Sequence, residues 1–165
     1  MTKNMTTGSP FKLIMSFALP LLIGNLLQQT YNLIDAAIVG RFLGSDALAS
    51  VGASSSVQFL VLGFCMGTAC GFGVPIARHF GAGDIKKLKQ YFYNSIVITA
   101  VTALVLTTVC AVLCSEILKL LSTPSNIFDD AYKYLLVIFL GIPFTLLYNL
   151  LSSVLRSVGD SKTPF

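Results

Sequence analysis

The sequence predicts an all-α membrane protein of four transmembrane helices, and three observations carry that prediction. Of the 165 residues, 55% are hydrophobic and only 11% charged, with a mean hydropathy of +0.80, against roughly 25% charge in a soluble domain. The charges are clustered, leaving uncharged runs at 13–34, 47–77, 90–115 and 134–155. Each run reaches the roughly 20 residues needed to cross the hydrocarbon core as a helix. The runs are also continuous, whereas a membrane β-barrel shows strands of about ten residues alternating in polarity.

Residues 1–11 form a polar tail, and the first helix is expected at about 13–39. A cleaved signal peptide has an apolar core of about 7–15 residues; the first run is longer and continues through 36–40. The turn GRFLGSD (40–46) is broken by Gly40, Gly44 and Asp46. The second helix is expected at about 47–77, as one long span, because 31 residues are too few for two crossings and a turn. In RHFGAGDIKKLK (78–89), Gly81 and Gly83 turn the chain and Asp84 is placed to cap a short helix carrying Lys86, Lys87 and Lys89. The third helix is expected at about 90–114, apolar apart from scattered threonines and facing lipid for much of its length. The run TPSN (123–126) turns the connection 115–130, and the fourth helix is expected at about 131–155. The tail RSVGDSKTPF has no closing hydrophobic segment, as expected of a loop cut in the middle by a truncated gene product or partial reading frame.

Lys3, Lys12, Arg78, Lys86, Lys87, Lys89, Arg156 and Lys162 fall on one side of this topology; Arg41, Lys119 and Lys133 fall on the other. The positive-inside rule therefore puts both termini and the middle connection in the cytoplasm of a multi-pass plasma-membrane protein. The net charge of +4 follows from that bias and calls for no nucleic-acid partner, since no basic–aromatic patch on a soluble domain accompanies it. Cys65, Cys70, Cys110 and Cys114 form no CxxC pair, and His79 is the single histidine. Zinc wants four ligands at short spacing; no metal site is expected, and the cysteines read as small hydrophobes. No Ser–His pair or phosphate loop suggests an enzyme.

The first helix is the most informative. At 100° per residue, Asn25, Gln28, Asn32 and Asp35 fall within about 80° of one another, with Tyr31 and Gly24 on one flank and Gln29 on the other. A polar stripe in a membrane helix faces a bundle interior or a water-filled path, since lipid offers no partners. A carboxylate at the bilayer centre costs about 2.5–3.5 kcal/mol; Asp35 there would exchange a proton or cation between the two sides. Asp35 also lies after 22 uncharged residues (13–34), roughly 33 Å of helix, so an idle carboxylate at the outer interface is the competing reading. On the fourth helix Thr145, Asn149, Ser152 and Arg156 share a face, with Tyr148 beside them, either lining a cavity or making ordinary interhelical hydrogen bonds of about 0.6 kcal/mol. Gln58 and 54–56 on the second helix are placed to line a cavity. Gly63, Gly67 and Gly71, every fourth residue, are expected to pack closely against another helix. Pro20 removes a backbone hydrogen bond and allows the first helix to bend.

Three stretches in order, LPLLIGNLLQQTYNLIDAAIVGRFLGSDALASVG (19–52), PIARHFGAGDIKK (75–87) and LRSVGDSKTPF (155–165), resemble the multidrug and toxic compound extrusion (MATE) transporters. The resemblance covers nearly the whole chain. It implies twelve helices in two six-helix lobes, exchanging an organic, often cationic, drug for protons or sodium ions by alternating access. It implies that Asp35 is the coupling site, that Tyr31 and Asn149 complete its polar network, and that Pro20 lets the helix bend. Residues 1–165 then form part of the N-terminal lobe, with helices five and six and the C-terminal lobe missing. Transport would require that remainder or self-association, because alternating access needs two repeats. No cofactor is expected beyond the coupling ion; the partners are the drug and the bilayer. Two alternatives are a lipid-linked oligosaccharide flippase of the same superfamily, which favours cationic cavity residues absent from these spans, and a four-helix scaffold or subunit assembling through the Gly63–Gly67–Gly71 face.

Overall fold

The structure is a computed structural model that describes residues 9–160 and Thr163. Lys3 and Lys162, assigned above to the cytoplasmic side, lie outside the described residues. Five α-helices follow one another: α1 (Pro10–Phe42), α2 (Gly44–Gly81), α3 (Ile85–Leu120), α4 (Phe128–Leu140) and α5 (Ile142–Ser157). The first three are each long and apolar enough to cross a membrane; α4 and α5, bent by 44° at their junction, are long and apolar enough for a fourth span when taken as one.

The helices overrun the boundaries that hydropathy suggests. Loss of apolar character marks where lipid ends, but backbone hydrogen bonding continues until a residue breaks it. Nothing between Lys89 and Gln90 does so, and the short capped helix merges into α3. The connection expected at 115–130 shrinks likewise to 121–127, where Ser122 takes a left-handed φ of 53°.

The single fourth helix expected at 131–155 is corrected to two. Pro143 has no N–H for the carbonyl of Phe139, and its ring crowds that turn. The ladder stops at Gly141, whose N–H is shared between the carbonyls of Val137 (3.1 Å) and Ile138 (3.0 Å).

The core lies where α2, α3, α4 and α5 meet. Val61, Cys65, Ala103, Cys110, Cys114, Leu118, Ala131, Leu135, Phe139, Ile142 and Leu146 form one buried cluster. In lipid, burial of apolar surface does not itself drive helices together; close packing and interhelical hydrogen bonds do. Helices α2 and α5 approach closely at Gly73. A methyl group on Gly73 would lie 2.5 Å from Ser153 Oγ and 2.8 Å from Ser157 Oγ, and Ser157 Oγ donates to the Gly73 carbonyl at 2.9 Å. The close-packing role expected of Gly63, Gly67 and Gly71 falls on Gly73 in this structure: all three are exposed, with open space where a Cβ would go. Packed against α2 alone, α1 stands outside the cluster.

Two turns on one side of the bundle share a design. After α2, Gly83 (φ 71°) lets the Asp84 N–H reach back to the carbonyl of His79 at 3.0 Å; after α5, Gly159 (φ 84°) lets the Asp160 N–H reach Leu155 at 3.0 Å. Each is a Schellman ending, which requires a left-handed residue that glycine supplies without strain. Each aspartate then accepts the backbone N–H three residues on, Lys87 or Thr163, at 3.1 Å.

Candidate functional site

The polar stripe of α1 is open. Asn25, Gln28, Tyr31 and Asn32 are exposed and Asp35 is half-buried. Local bonds occupy part of it: Asn32 Nδ2 donates to Gln29 Oε1 at 3.1 Å, and Thr30 Oγ1 to the Leu26 carbonyl at 2.9 Å. Among the described residues Asp35 has no hydrogen-bonding or ion-pairing partner. Helix α1 runs unbroken through Pro20.

On α5, Asn149 Nδ2 donates to the Thr145 carbonyl at 2.8 Å and Thr145 Oγ1 to Gly141 at 3.2 Å. Both side chains are half-buried, and Ser152 is buried. These residues therefore stay on their own helix in part, turned toward their own backbone.

The structure does not bring the α1 and α5 groups together. Both helices pack on α2, but not on each other. Register along α2 gives the separation. The turn at Leu43 sets Asp35, eight residues before it, level with Val51, eight after. Contact between Gly73 and Ser153 sets Asn149 about level with Ala69. At 1.5 Å per residue the two levels differ by about 27 Å.

A different pair lies nearer the level of Asp35. Gln58 of α2, half-buried, accepts a hydrogen bond from Tyr134 Oη of α4 at 3.4 Å. On the same register Gln58 is roughly 10 Å from the Val51 level, about level with Gln28 of the stripe. Below Asp46 the α2 face carries Ser50 and Ser54, both buried, with Ser54 Oγ donating to the Ser50 carbonyl at 2.8 Å. Sequence reasoning missed Tyr134. Its signal was a phenol inside an apolar run, 76 residues from its partner Gln58 and hence invisible without the α2–α4 packing. Among the described residues no group of three or more His, Cys, Asp and Glu side chains is arranged to hold a metal ion.

Several helices long and apolar enough to cross a membrane define a multi-pass membrane protein. Within that class the chain belongs to the MatE family, whose model matches residues 20–165. It is 32% identical over 164 residues to the probable multidrug resistance protein YoeA of Bacillus subtilis (strain 168), covering 99% of this chain and 35% of that protein. It is 33% identical over 161 residues to the probable multidrug resistance protein YpnP of the same organism, covering 98% and 36%. Among solved structures, a MATE crystal structure in the straight conformation superposes with a TM-score of 0.87 at 25% identity, covering 95% of this chain and 35% of that one. The chain thus spans about a third of the length of the relatives it matches.

Proposed function

We propose that residues 1–165 supply four helices of the six-helix N-terminal lobe of a twelve-helix efflux antiporter, which exports organic, often cationic, drugs in exchange for protons or sodium ions. The single observation that carries this reading is Asp35: a half-buried carboxylate, without a partner among the described residues, on the polar stripe of a membrane-crossing helix, in a chain of the MatE family. An ionised carboxylate inside the hydrocarbon is costly and a neutralised one much less so. Binding a proton or sodium ion therefore changes which arrangement of α1 is favoured, and a ligand shifts a two-state equilibrium by its differential affinity for the two states. Pro20, with no N–H to complete the ladder, is the place for α1 to yield. Tyr31, Asn32 and Gln28 share the stripe and would line the same path as Asn25 and Gln58; Thr145, Asn149 and Ser152 would line its other end. The excess of Lys and Arg on one side supports cytoplasmic placement of both ends of this segment.

The test is dye efflux from drug-sensitive cells expressing the gene that encodes this segment, native against Asp35→Asn at matched protein levels. Efflux is expected to fall to background in the variant. Unchanged efflux would return Asp35 to the role of a hydrated interfacial residue.

A further inference from the structure

The turn between α2 and α3 carries Arg78, Lys86, Lys87 and Lys89, all exposed, and a single acid, Asp84, among residues 78–93. The opposite end of the bundle is balanced in charge: Arg41, Lys119 and Lys133 are accompanied by Asp46, Glu116, Asp129 and Asp130, and Lys119 Nζ is held by Glu116 Oε1 at 2.7 Å. The basic cluster sits where α2 leaves and α3 enters the apolar runs ending at 77 and starting at 90. That is the depth of the lipid headgroups. Two tyrosines stand on α3 just inside it, Tyr91 (42% exposed) and Tyr93 (65% exposed); tyrosine is favoured at this level because its ring is apolar and its hydroxyl wet.

The positive-inside rule accounts for the sign of the charge but not for the order of the turn. Asp84 Oδ1 accepts the Lys87 N–H at 3.1 Å, Asp84 Oδ2 lies 3.6 Å from Lys87 Nζ, and the His79 and Tyr91 rings stack at 5.0 Å with 18° between their planes. The stack ties the last turn of α2 to the second turn of α3. The backbone that carries the four cations is thereby fixed, with Lys87 partly neutralised by Asp84, so little backbone ordering is required when an anion binds. We propose that this turn is a binding site for the headgroup of an anionic phospholipid, its phosphate oxygens accepting from Arg78 and the three lysines while Tyr91 and Tyr93 lie along the upper acyl chains. Juxtamembrane basic clusters of this size attract anionic lipid by electrostatics that salt screens.

The experiment uses the chain reconstituted in phosphatidylcholine vesicles with trace spin-labelled phosphatidylglycerol or spin-labelled phosphatidylcholine, and reads the motionally restricted fraction of each label. At low ionic strength the native chain is expected to restrict phosphatidylglycerol roughly three-fold more strongly than phosphatidylcholine, a preference that salt reduces. Equal restriction of the two labels by the native chain overturns the proposal whatever any variant does. The quadruple variant R78Q/K86Q/K87Q/K89Q is expected to lose the preference, and the quadruple with Lys86, Lys87 and Lys89 changed to Arg and Arg78 to Lys to keep it. A preference that survives the glutamine variant, or that K119Q/K133Q removes equally, places the lipid elsewhere. Competition by millimolar inorganic phosphate to the same extent as by added phosphatidylglycerol would assign the site to free phosphate and overturn the lipid assignment. The readout is independent of transport, so it stands apart from the role of Asp35.

Discussion

Ser157 of α5 hydrogen-bonds the carbonyl of Gly73 on α2 at 2.9 Å, and the same hydroxyl accepts no room for a side chain there: a Cβ on Gly73 would sit 2.8 Å from it and 2.5 Å from Ser153 Oγ. The two serines stand one turn apart on α5 with the glycine against both. Backbones can approach this closely in a membrane only where side chains are small, and the hydroxyls add polar contact that lipid cannot supply.

Gly73→Ala is therefore expected to destabilise the α2–α5 pair by about 1–2 kcal/mol, through crowding and loss of the Ser157 bond. Gly67→Ala is expected to be neutral or slightly stabilising, since its Cβ position is open and alanine is the better helix former by about 1 kcal/mol. Unfolding of the purified chain in mixed micelles by increasing SDS, followed by circular dichroism, separates the two. Equal sensitivity at Gly67 and Gly73 would show that the glycine stripe at 63–71 packs after all.

How much of this was legible in the sequence depends on what each feature rests on. The number of spans follows from charge-free runs, because the cost of charge in lipid acts residue by residue. The break in the fourth span was also written locally, in Gly141-Ile142-Pro143, but a hydropathy reading passes over it since all three residues are apolar. Gly73 was hidden for a different reason. Its importance depends on Ser153 and Ser157, 80 and more residues away, while the regular spacing of Gly63, Gly67 and Gly71 drew attention to a face that the described structure leaves open. The pairing of Asn149 with Asp35 rests on residue type and on family likeness; periodicity on separate helices carries no information about their relative depth.

The turn at Asp84 is expected to respond to acid. The backbone N–H of Lys87 holds the Asp84 carboxyl below its ordinary range, helped by the Lys87 ammonium. A group whose pKa is lower folded than unfolded contributes stability above its unfolded value and loses it as pH falls through the folded value. The α2–α3 turn should thus be fully stabilised at neutral pH and weaken below the ordinary carboxylate range. Asp84→Asn keeps a capping oxygen but does not titrate, so it should flatten this part of the pH profile. Thermal unfolding in micelles from neutral pH down to about pH 3 checks this; an unaltered profile would assign the acid response to other carboxylates.

Removal of Pro143 is expected to straighten the fourth span. Pro143→Ala restores an N–H to the carbonyl of Phe139, so the 44° bend between α4 and α5 loses its cause. Spin labels at positions 128 and 157 in a cysteine-free background should move apart by roughly 3 Å, from the geometry of two segments rising about 1.5 Å per residue. No change in the distance distribution would place the origin of the bend in Gly141 and the packing around it.

The bond between Tyr134 and Gln58 offers a test of which polar groups serve Asp35. It joins α4 to α2 at 3.4 Å, near the level of the α1 stripe, whereas Asn149 lies about 27 Å from the Asp35 level by helix rise. Tyr134→Phe removes one hydroxyl, and interhelical bonds of this kind contribute about 0.6 kcal/mol, so the protein should still insert and accumulate normally. If the outer-half groups form one path with Asp35, dye efflux should fall several-fold in Tyr134→Phe and no further in the double variant with Asp35→Asn. Asn149→Ala should act separately, altering apparent affinity for the dye more than the dependence on the ion gradient. An efflux defect in Asn149→Ala that matches Asp35→Asn in its ion dependence, with Tyr134→Phe silent, would mean that α1 and α5 meet in the working transporter in a way that packing on α2 alone does not provide.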